Sequence, residues 1–535
     1  MLDKWSFEAL DLSEILERVE TFSELGRKFR SNLRHYLPGE EDDLASYFNL
    51  VSEVIDRIRG NEVLQDKLKS ELFHLKDIAH SIKRLGKDIQ IHELFEIKQF
   101  CYFYERLRLH LAKNNFKLVE LFPHLRKVFT ILDPEEQEVP TFKISSTYSS
   151  ELQHIREQIA SLSRKKKINQ QLYRQLIMEE LELSKIEDKF IISNMNVELK
   201  TKIESSDYFG IQEENFANTI YYIKYPELVR DFEYQLNDLF IKQEQVSNEV
   251  VFKLSTQLSK YQEILTKAQE IVAKFDDILG KSIFALNYNC TLPNIIKEDK
   301  VQIIQAVNIP VYDALKRVSI KYQKIDLMLD NKMNILVGAN MAGKSTALTT
   351  LGQFSYLVQH GFPVPAYKCE LPLFDYILVT GDEANQKSID LSSFGKELVR
   401  INSYYGRPGR GLFIIDEFAR GTNPKEGNAL SKALFETLTT KNNFCFCATH
   451  FNSPLEIEGV SHFTIPGITV EDFEEIRNQN QINPDNRLKA LHKKMKYNLN
   501  KITGQKETPQ AGLMIAELLG TDEEIIKKAK EYLKK

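Results

Sequence analysis

Eight residues at positions 338–345, GANMAGKS, have the types and spacing of a phosphate-binding loop. They fit G-x-x-x-x-G-K-[ST], follow the apolar run NILV and precede an apolar helical pattern. Gly338 and Gly343 let the backbone turn its N–H groups toward phosphate oxygens, and the start of the helix adds a favourable dipole. We expect Lys344 to hold the β- and γ-phosphates of ATP and the Ser345 hydroxyl to bind Mg²⁺.

Two adjacent carboxylates end a second apolar run. Gly411–Ile415 predicts a buried strand, and Asp416 and Glu417 follow it directly. Asp416 is placed to bind Mg²⁺, and Glu417 to polarise the attacking water. Another run ends in Thr449 and His450, where a histidine can sense the γ-phosphate through a hydrogen bond. Each feature alone is common, but together with the phosphate loop they predict ATP hydrolysis, with Glu417 and His450 as catalytic residues.

These segments resemble the MutS family of DNA mismatch-repair ATPases. GANMAGKST at 338–346 is similar to the family's GPNMGGKST, including Asn340 and Met341, which ordinary phosphate loops lack. Further segments resemble the family's DE-x-x-RGT motif, its ATH-[YF] motif, its closing helices and the opening of its lever and core: IDEFARGTNPKEG at 415–427, ATHF at 448–451, AGLMIAELLGTDEEIIKK at 511–528 and FEALDLSEILERVETFSELGRKF at 7–29. The resemblance therefore covers most of the chain.

The resemblance implies a P-loop NTPase domain that forms a homodimer. A serine-containing segment of one subunit then reaches the nucleotide of the other; LSSFGKEL at 391–398 resembles that segment, with Ser392 in the serine position. Tyr322, which precedes the first strand, is either an adenine-stacking residue or a core residue. The motif also implies that the remaining loop residues surround the nucleotide: Ala339, Asn340, Met341, Ala342 and Thr346.

The elements that position these residues follow from short apolar runs separated by helical patterns and glycine-containing turns. The alternation predicts an α/β domain over residues 291–535 with a mainly parallel sheet. Five runs predict its strands: Met333–Val337, Tyr376–Thr380, Leu412–Ile415, Phe444–Ala448 and His462–Ile465.

Residues 1–290 predict an all-α region, which by resemblance is the family's lever and core. One heptad seam runs from Leu152 to Leu162 and another from Phe232 to Val250, so we expect two long helices to pair antiparallel as a clamp-like arm at about 148–260. The basic cluster Arg164–Lys167 either contacts DNA phosphates or forms a solvated helix face.

Composition narrows the function classes. A net charge of -5 gives no overall attraction to nucleic acid, so such contacts must come from local patches. Five scattered cysteines suit a reducing cytosol, and Cys445 and Cys447 alternate in an apolar run as strand residues rather than a redox pair or metal site. Neither a secretion signal nor a run of roughly 18 apolar residues is present, so we expect a cytoplasmic protein without a membrane partner.

The sequence also departs from the mismatch-repair pattern. The core-like segment begins within ten residues of Met1, so we expect no mismatch-reading domain. We also expect no nuclease-like extension after the ATPase domain. The favoured hypothesis is an ATPase that drives a clamp-like switch on DNA. Two alternatives stay open: an ATP-dependent switch or reactivating chaperone acting on a protein such as a metabolic enzyme, and a ribosome-associated rescue factor.

Overall fold

The computed structural model describes residues 2–338, 342–381, 393–478, 493–503, 512–518 and 520–533. Its helices are α1 Lys4–Ala9, α2 Leu12–Leu16, α3 Glu24–Arg30, α4 Glu41–Ile58, α5 Glu62–Phe73, α6 Ala79–Arg84, α7 Ile91–Lys113, α8 Arg126–Leu132, α9 Ser150–Glu180, α10 Val197–Glu204, α11 Glu227–Leu258, α12 Gln262–Asn287, α13 Ile309–Arg317, α14 Lys344–Gln359, α15 Ser393–Tyr405, α16 Pro424–Thr439, α17 Val470–Asn478, α18 Gly512–Leu518 and α19 Glu523–Leu533.

The strands are β1 Lys189–Ser193, β2 Phe209–Glu214, β3 Asn218–Ile223, β4 Asn294–Ile295, β5 Val301–Ala306, β6 Ile325–Leu329, β7 Met333–Gly338, β8 Lys368–Leu371, β9 Tyr376–Thr380, β10 Gly411–Asp416, β11 Phe444–Thr449, β12 Ser461–Ile465 and β13 Asn500–Lys501. The chain forms two compact units. The first comprises residues 1–73, 110–121 and 271–535, and the second residues 74–109 and 122–270. The domain boundary expected near residue 290 stays a prediction.

A six-stranded sheet in the first unit has the order β13-β12-β7-β11-β10-β9, and only β13 runs antiparallel to its neighbour. The five predicted strands are all present, each within one residue of its predicted ends. They are continuous apolar runs because helices cover parallel sheets on both faces, so both faces of each strand are buried. This confirms an α/β arrangement with a mostly parallel sheet after a helical region.

A second sheet of the first unit, ordered β4-β8-β5-β6, shares its core with helix α14. Phe354 and Leu357 of α14 lie in that core with Ile303 of β5 and Leu327 of β6. Helix α14 is therefore held along its length by apolar contacts, which fix the position of its first residue, Lys344.

In the second unit, α9 and α11 lie antiparallel, and we call this pair the arm. Glu151, at the start of α9, pairs with Lys242, whereas Lys166, halfway along α9, pairs with Glu233, which comes earlier in α11. The two helices therefore run in opposite directions. Of the heptad seam predicted in α9, Leu152 and Ile155 are buried, and Ile159 and Leu162 are half-buried.

The prediction of an all-α region was wrong between α9 and α11. Strands β1, β2 and β3 form an antiparallel sheet of order β1-β3-β2. They bury Ile192, Phe209 and Tyr221 in one cluster with Ile177 of α9. These three runs are short, and their alternating side chains are buried only when β3 pairs with both of its neighbours. A search for local patterns therefore favours the helical periodicity of the segments on either side.

No helix in the described part of the chain is long and apolar enough to cross a membrane.

Candidate active site

The phosphate-loop segment connects the central strand β7 to helix α14. A Cβ atom on Gly338 would lie 3.2 Å from the carbonyl oxygen of Ile465, which leaves little room for a side chain. Gly343, the N-cap of α14, has φ of 91°, a left-handed conformation that glycine adopts without strain. At both positions the surrounding backbone therefore favours glycine. Ala339, Asn340 and Met341 lie outside the described residues.

Lys344 is the first residue of α14, and its ammonium group is buried with a 5% exposed side chain. Its Nζ donates a hydrogen bond of 2.8 Å to the carbonyl oxygen of Gly338. The same atom lies 3.2 Å from Oε1 of Glu417. The buried cation is therefore oriented across the loop toward the carboxyl end of β10.

Asp416 ends β10, and Oδ1 of its carboxylate is buried. Burial raises the pKa of Asp416 and Glu417 raises it further, while a hydrogen bond from the Ser345 hydroxyl and the charge of Lys344 lower it. Its Oδ1 has no hydrogen-bond partner among the described residues. A buried carboxylate oxygen without a partner, beside a hydroxyl, is the oxygen-rich donor set that Mg²⁺ prefers, so these two residues fit the predicted metal ligands.

Glu417 begins a tight turn after β10. Its φ is 55° and that of Ala419 is 63°, and both values are uncommon for residues with a side chain. The turn is held because the N–H of Glu417 donates to the carbonyl of Ala448 at 3.0 Å, and that of Ala419 to Oε2 of Glu397 at 3.3 Å. Such strain is found where the surrounding structure fixes a functional side chain.

His450 follows β11, the strand between β7 and β10. Its pKa is lowered, mainly by partial burial of the ring; the charge of Glu417 raises it, and the positive charges of Lys344 and Arg420 lower it. The imidazole is therefore neutral at neutral pH and has both a donor and an acceptor nitrogen. Because β7, β11 and β10 are adjacent and parallel, their carboxyl ends bring the lysine, the histidine and the two acids to one edge of the sheet.

A cavity of about 170 Å³ lies beside Gly343. Its walls are mostly apolar and include Val311, Leu315, Tyr322, Ile325, Thr346 and Tyr497. The hydroxyl of Tyr322 accepts a hydrogen bond of 3.0 Å from the N–H of Asn308, so this ring is both fixed and part of the cavity wall. A flat apolar group of a bound molecule could enter here next to the phosphate loop.

The structure thus brings together Gly338, Gly343, Lys344, Ser345, Thr346, Asp416, Glu417 and His450, and it buries Ala342 beside them. Ser392 lies outside the described residues. Cys445 and Cys447 are buried strand residues, and the described part of the chain contains no group of three or more metal-binding His, Cys, Asp or Glu side chains.

Sequence patterns missed four residues of the site. Thr380 ends β9, next to the end of β10, and its hydroxyl is buried without a hydrogen-bond partner among the described residues. Arg420 lies 3.3 Å from Oε2 of Glu417, and its place in the RGT segment was the available signal. Glu397 lies in the LSSFGKEL segment, which indicated a contact with a second subunit and not with the turn, and Tyr497 lies in no motif. Only the packing of distant segments places Glu397 at the turn and Tyr497 at Gly343.

Comparison with known proteins gives consistent matches. The MutS domain V family matches residues 334–535. The chain is 26% identical to Endonuclease MutS2 of Ruminiclostridium cellulolyticum over 98% of its own length and 64% of the relative's. It is 23% identical to Endonuclease MutS2 of Halothermothrix orenii over 84% of this chain and 58% of that one. DNA mismatch repair protein MutS of Carboxydothermus hydrogenoformans is 26% identical over 53% of this chain and 32% of its own. The chain thus spans less than two thirds of these relatives.

Proposed function

Because this chain belongs to the MutS family, we propose that it is a P-loop ATPase that binds ATP with Mg²⁺ and hydrolyses it to ADP and phosphate. The observation that carries this proposal is the convergence of Lys344, Asp416 and Glu417 at the carboxyl ends of β7 and β10, which lie on either side of β11 in the parallel sheet. A buried cation, a buried carboxylate with an unpartnered oxygen and a second carboxylate are the side chains that phosphoryl transfer to water requires.

Each residue has a separate role in this proposal. Lys344 binds the β- and γ-phosphates, exchanging its contact with Glu417 for phosphate oxygens. When bound, Mg²⁺ supplies positive charge to the phosphates, and Ser345 and Asp416 would hold it. Glu417, fixed by the turn after β10, orients the attacking water and accepts its proton. Neutral His450 donates a hydrogen bond toward the γ-phosphate. Because the ring carries no positive charge, it does not slow the release of phosphate.

The cavity beside Gly343 is proposed to take the adenine base. Thr346 and Tyr497 line it from the phosphate-loop side, and Leu315 and Tyr322 from the side of α13. This apolar cavity lies at a fixed distance from the start of α14, where the phosphates are proposed to bind. A nucleoside triphosphate can fill both places, whereas inorganic triphosphate fills only one, so the site favours the nucleotide.

We further propose that the active form is a homodimer in which Ser392 of each subunit completes the nucleotide site of the other. This part rests on the sequence resemblance alone. It predicts that ATP hydrolysis per chain rises with chain concentration until the dimer is saturated.

Phosphate release from Mg²⁺-ATP by the purified chain tests the ATPase proposal. We expect Mg²⁺-dependent turnover that disappears in Lys344→Ala and persists in Lys527→Ala, which replaces an exposed lysine of α19. Absence of turnover over the whole range of chain concentrations, or equal turnover in Lys344→Ala, would contradict the proposal.

The proposed target of the switch is DNA, as the names of the relatives suggest, with the arm as a clamp-like contact. Arg164, Lys165 and Lys167 are the exposed cations available to phosphates, since Lys166 is paired with Glu233 at 2.7 Å. Binding to plain, mismatched and branched duplexes should weaken as salt rises. A missing salt dependence, or no binding with or without ATP, would contradict a DNA target.

The charge of the arm region favours a second candidate, a protein target. Residues 150–258 contain 18 acidic and 14 basic side chains, an unfavourable balance for a polyanion. Met195 and Phe216, 93% and 104% exposed, lie next to each other because the Asn194 amide donates to the Phe216 carbonyl at 3.3 Å. An ATP-dependent, stoichiometric protein partner that is lost when both residues become serine would support this candidate. Recovery of nucleic acid alone would favour DNA.

A further inference from the structure

One exposed side of α9 carries an apolar stripe. Ile168, Leu172 and Leu176 follow one another at intervals of four residues and are 49%, 58% and 48% exposed. Ile177, on the opposite side of the helix, is fully buried. Residues four apart lie above one another on a helix, so the three side chains form one continuous ridge. Pairing within the arm leaves this ridge uncovered.

A charged side chain continues the ridge at each end. Lys165 precedes Ile168 by three residues and Glu179 follows Leu176 by three, which places both on the same helix face. Both are exposed, and neither has an ion-pair partner among the described residues. The neighbouring Lys166, by contrast, is engaged with Glu233 inside the arm. The ridge therefore begins with a positive and ends with a negative charge.

The ridge is symmetric about Leu172. Ile168 and Leu176 lie at equal sequence distances on either side, and so do Lys165 and Glu179. In an antiparallel pair of identical helices centred on Leu172, each residue faces its counterpart on the other side of the centre. Both lysines would then face glutamates, and apolar residues would face apolar residues.

We propose that the α9 helices of two copies of this chain pair antiparallel about a two-fold axis at Leu172. Such an isologous contact uses the same patch on both copies. A parallel pair would place Lys165 against Lys165, and a nucleic acid strand would meet Glu179 and three apolar residues. The charge pattern thus selects a second copy in one orientation. This contact is separate from the proposed nucleotide-dependent dimer and does not depend on ATP hydrolysis.

The size of the ridge sets the strength of the contact. Three apolar side chains per copy cover far less than the roughly 1,200 Å² buried by stable interfaces. A crossing angle of about 20° keeps the charged ends within reach of each other across the pair. The contact is therefore weak and dependent on concentration, and it forms when several copies are held close together.

Cysteine trapping in the full-length chain tests the register. Leu172→Cys should form a disulfide-linked dimer under mild oxidation, because the axis places the residue against itself. Leu228→Cys, equally exposed at 54% on α11, is the matched control. Four of the five native cysteines are buried and Cys290 is half-buried, so the parent chain gives the background.

Mixing experiments separate a defined register from random collision. Ile168→Cys and Leu176→Cys should each link poorly alone and link to each other when mixed. Equal linking of Leu172→Cys and Leu228→Cys, or no gain on mixing, would overturn the proposal.

Charge reversal provides an independent readout by sedimentation velocity over a range of concentrations. Lys165→Glu and Glu179→Lys should each weaken self-association by about tenfold, because two like-charged contacts replace two ion pairs. The double variant should recover the parent value. No recovery, or unchanged association in both single variants, would contradict antiparallel pairing.

Discussion

Lys344 and Glu417 form an ion pair in which Nζ and Oε1 are 3.2 Å apart, with side chains only 5% and 13% exposed. One residue starts the helix after β7 and the other follows the end of β10. The proposed phosphate-binding cation and the proposed water-orienting carboxylate therefore neutralise each other. A triphosphate that binds Lys344 must displace this carboxylate, so nucleotide binding and the release of Glu417 toward water are coupled.

Glu417→Gln should separate these two effects. Hydrolysis should fall by about 100-fold or more, because the proton acceptor for water is lost. ATP affinity should stay the same or rise, since the amide competes less strongly than a carboxylate for Lys344. Single-turnover hydrolysis and equilibrium binding of labelled ATP measure the two quantities. Glu436→Gln, at an exposed position of α16, is the control. Parent-like turnover in Glu417→Gln would refute its assignment.

Lys344→Ala should act on binding itself. Removing a charge-assisted contact worth about 1.5–3 kcal/mol weakens ATP binding by roughly 10- to 100-fold. The substitution also leaves the carbonyl of Gly338 without its 2.8 Å hydrogen bond. Binding should therefore be measured below the unfolding temperature of the variant, which a thermal melt defines. An unchanged dissociation constant in the folded variant would exclude Lys344 from phosphate binding.

Leu315→Trp should fill the cavity beside Gly343. Because the added ring occupies the space assigned to the base, ATP affinity should fall by about tenfold or more. Affinity for inorganic triphosphate should not change, since Lys344 and the phosphate loop are untouched. Competition binding with both ligands provides the measurement. Leu430→Trp, at a 41% exposed leucine of α16, is the matched control. Equal loss of both ligands would show that the cavity does not hold the base.

Asp416→Asn should stabilise the protein while abolishing Mg²⁺-dependent binding. The pKa of Asp416 is raised mainly by burial, so its ionised form costs folding free energy at neutral pH. The variant should gain on the order of 1 kcal/mol there, because it no longer buries an ionised carboxylate. This gain should shrink as pH falls through the raised pKa toward the unfolded value, since both states then bind the proton. Urea unfolding at several pH values tests this; a gain that grows on acidification would contradict it.

His450 provides a second pH prediction. Its pKa is lowered by burial and by Lys344 and Arg420, so the ring charges only below the ordinary range of histidine. Around pH 6.5, the pH dependence of turnover should therefore have the same shape in the parent chain and in His450→Gln. A step at that pH in the parent chain, absent from the variant, would mean that the imidazole is charged during turnover.

The sequence alone determined the five parallel strands, and it placed the glycine–lysine segment, the two acids and the histidine at the carboxyl ends of three of them. Each is encoded within a short window, because a glycine turn or an apolar run imposes its conformation locally. The same property hid β1, β2 and β3, whose short runs become strands only through pairing with one another.

Only the tertiary structure decided which distant side chains meet. The ion pair of Lys344 with Glu417, the bond from Ala419 to Glu397 and the approach of Tyr497 to Gly343 each join segments far apart in the chain. The exposed ridge of α9 likewise emerged only once the structure had buried Ile177, on the opposite side of that helix, against the three-stranded sheet. Local sequence patterns specify individual helices and strands. Their order and register are fixed by the burial of their apolar faces against one another, which depends on the whole fold.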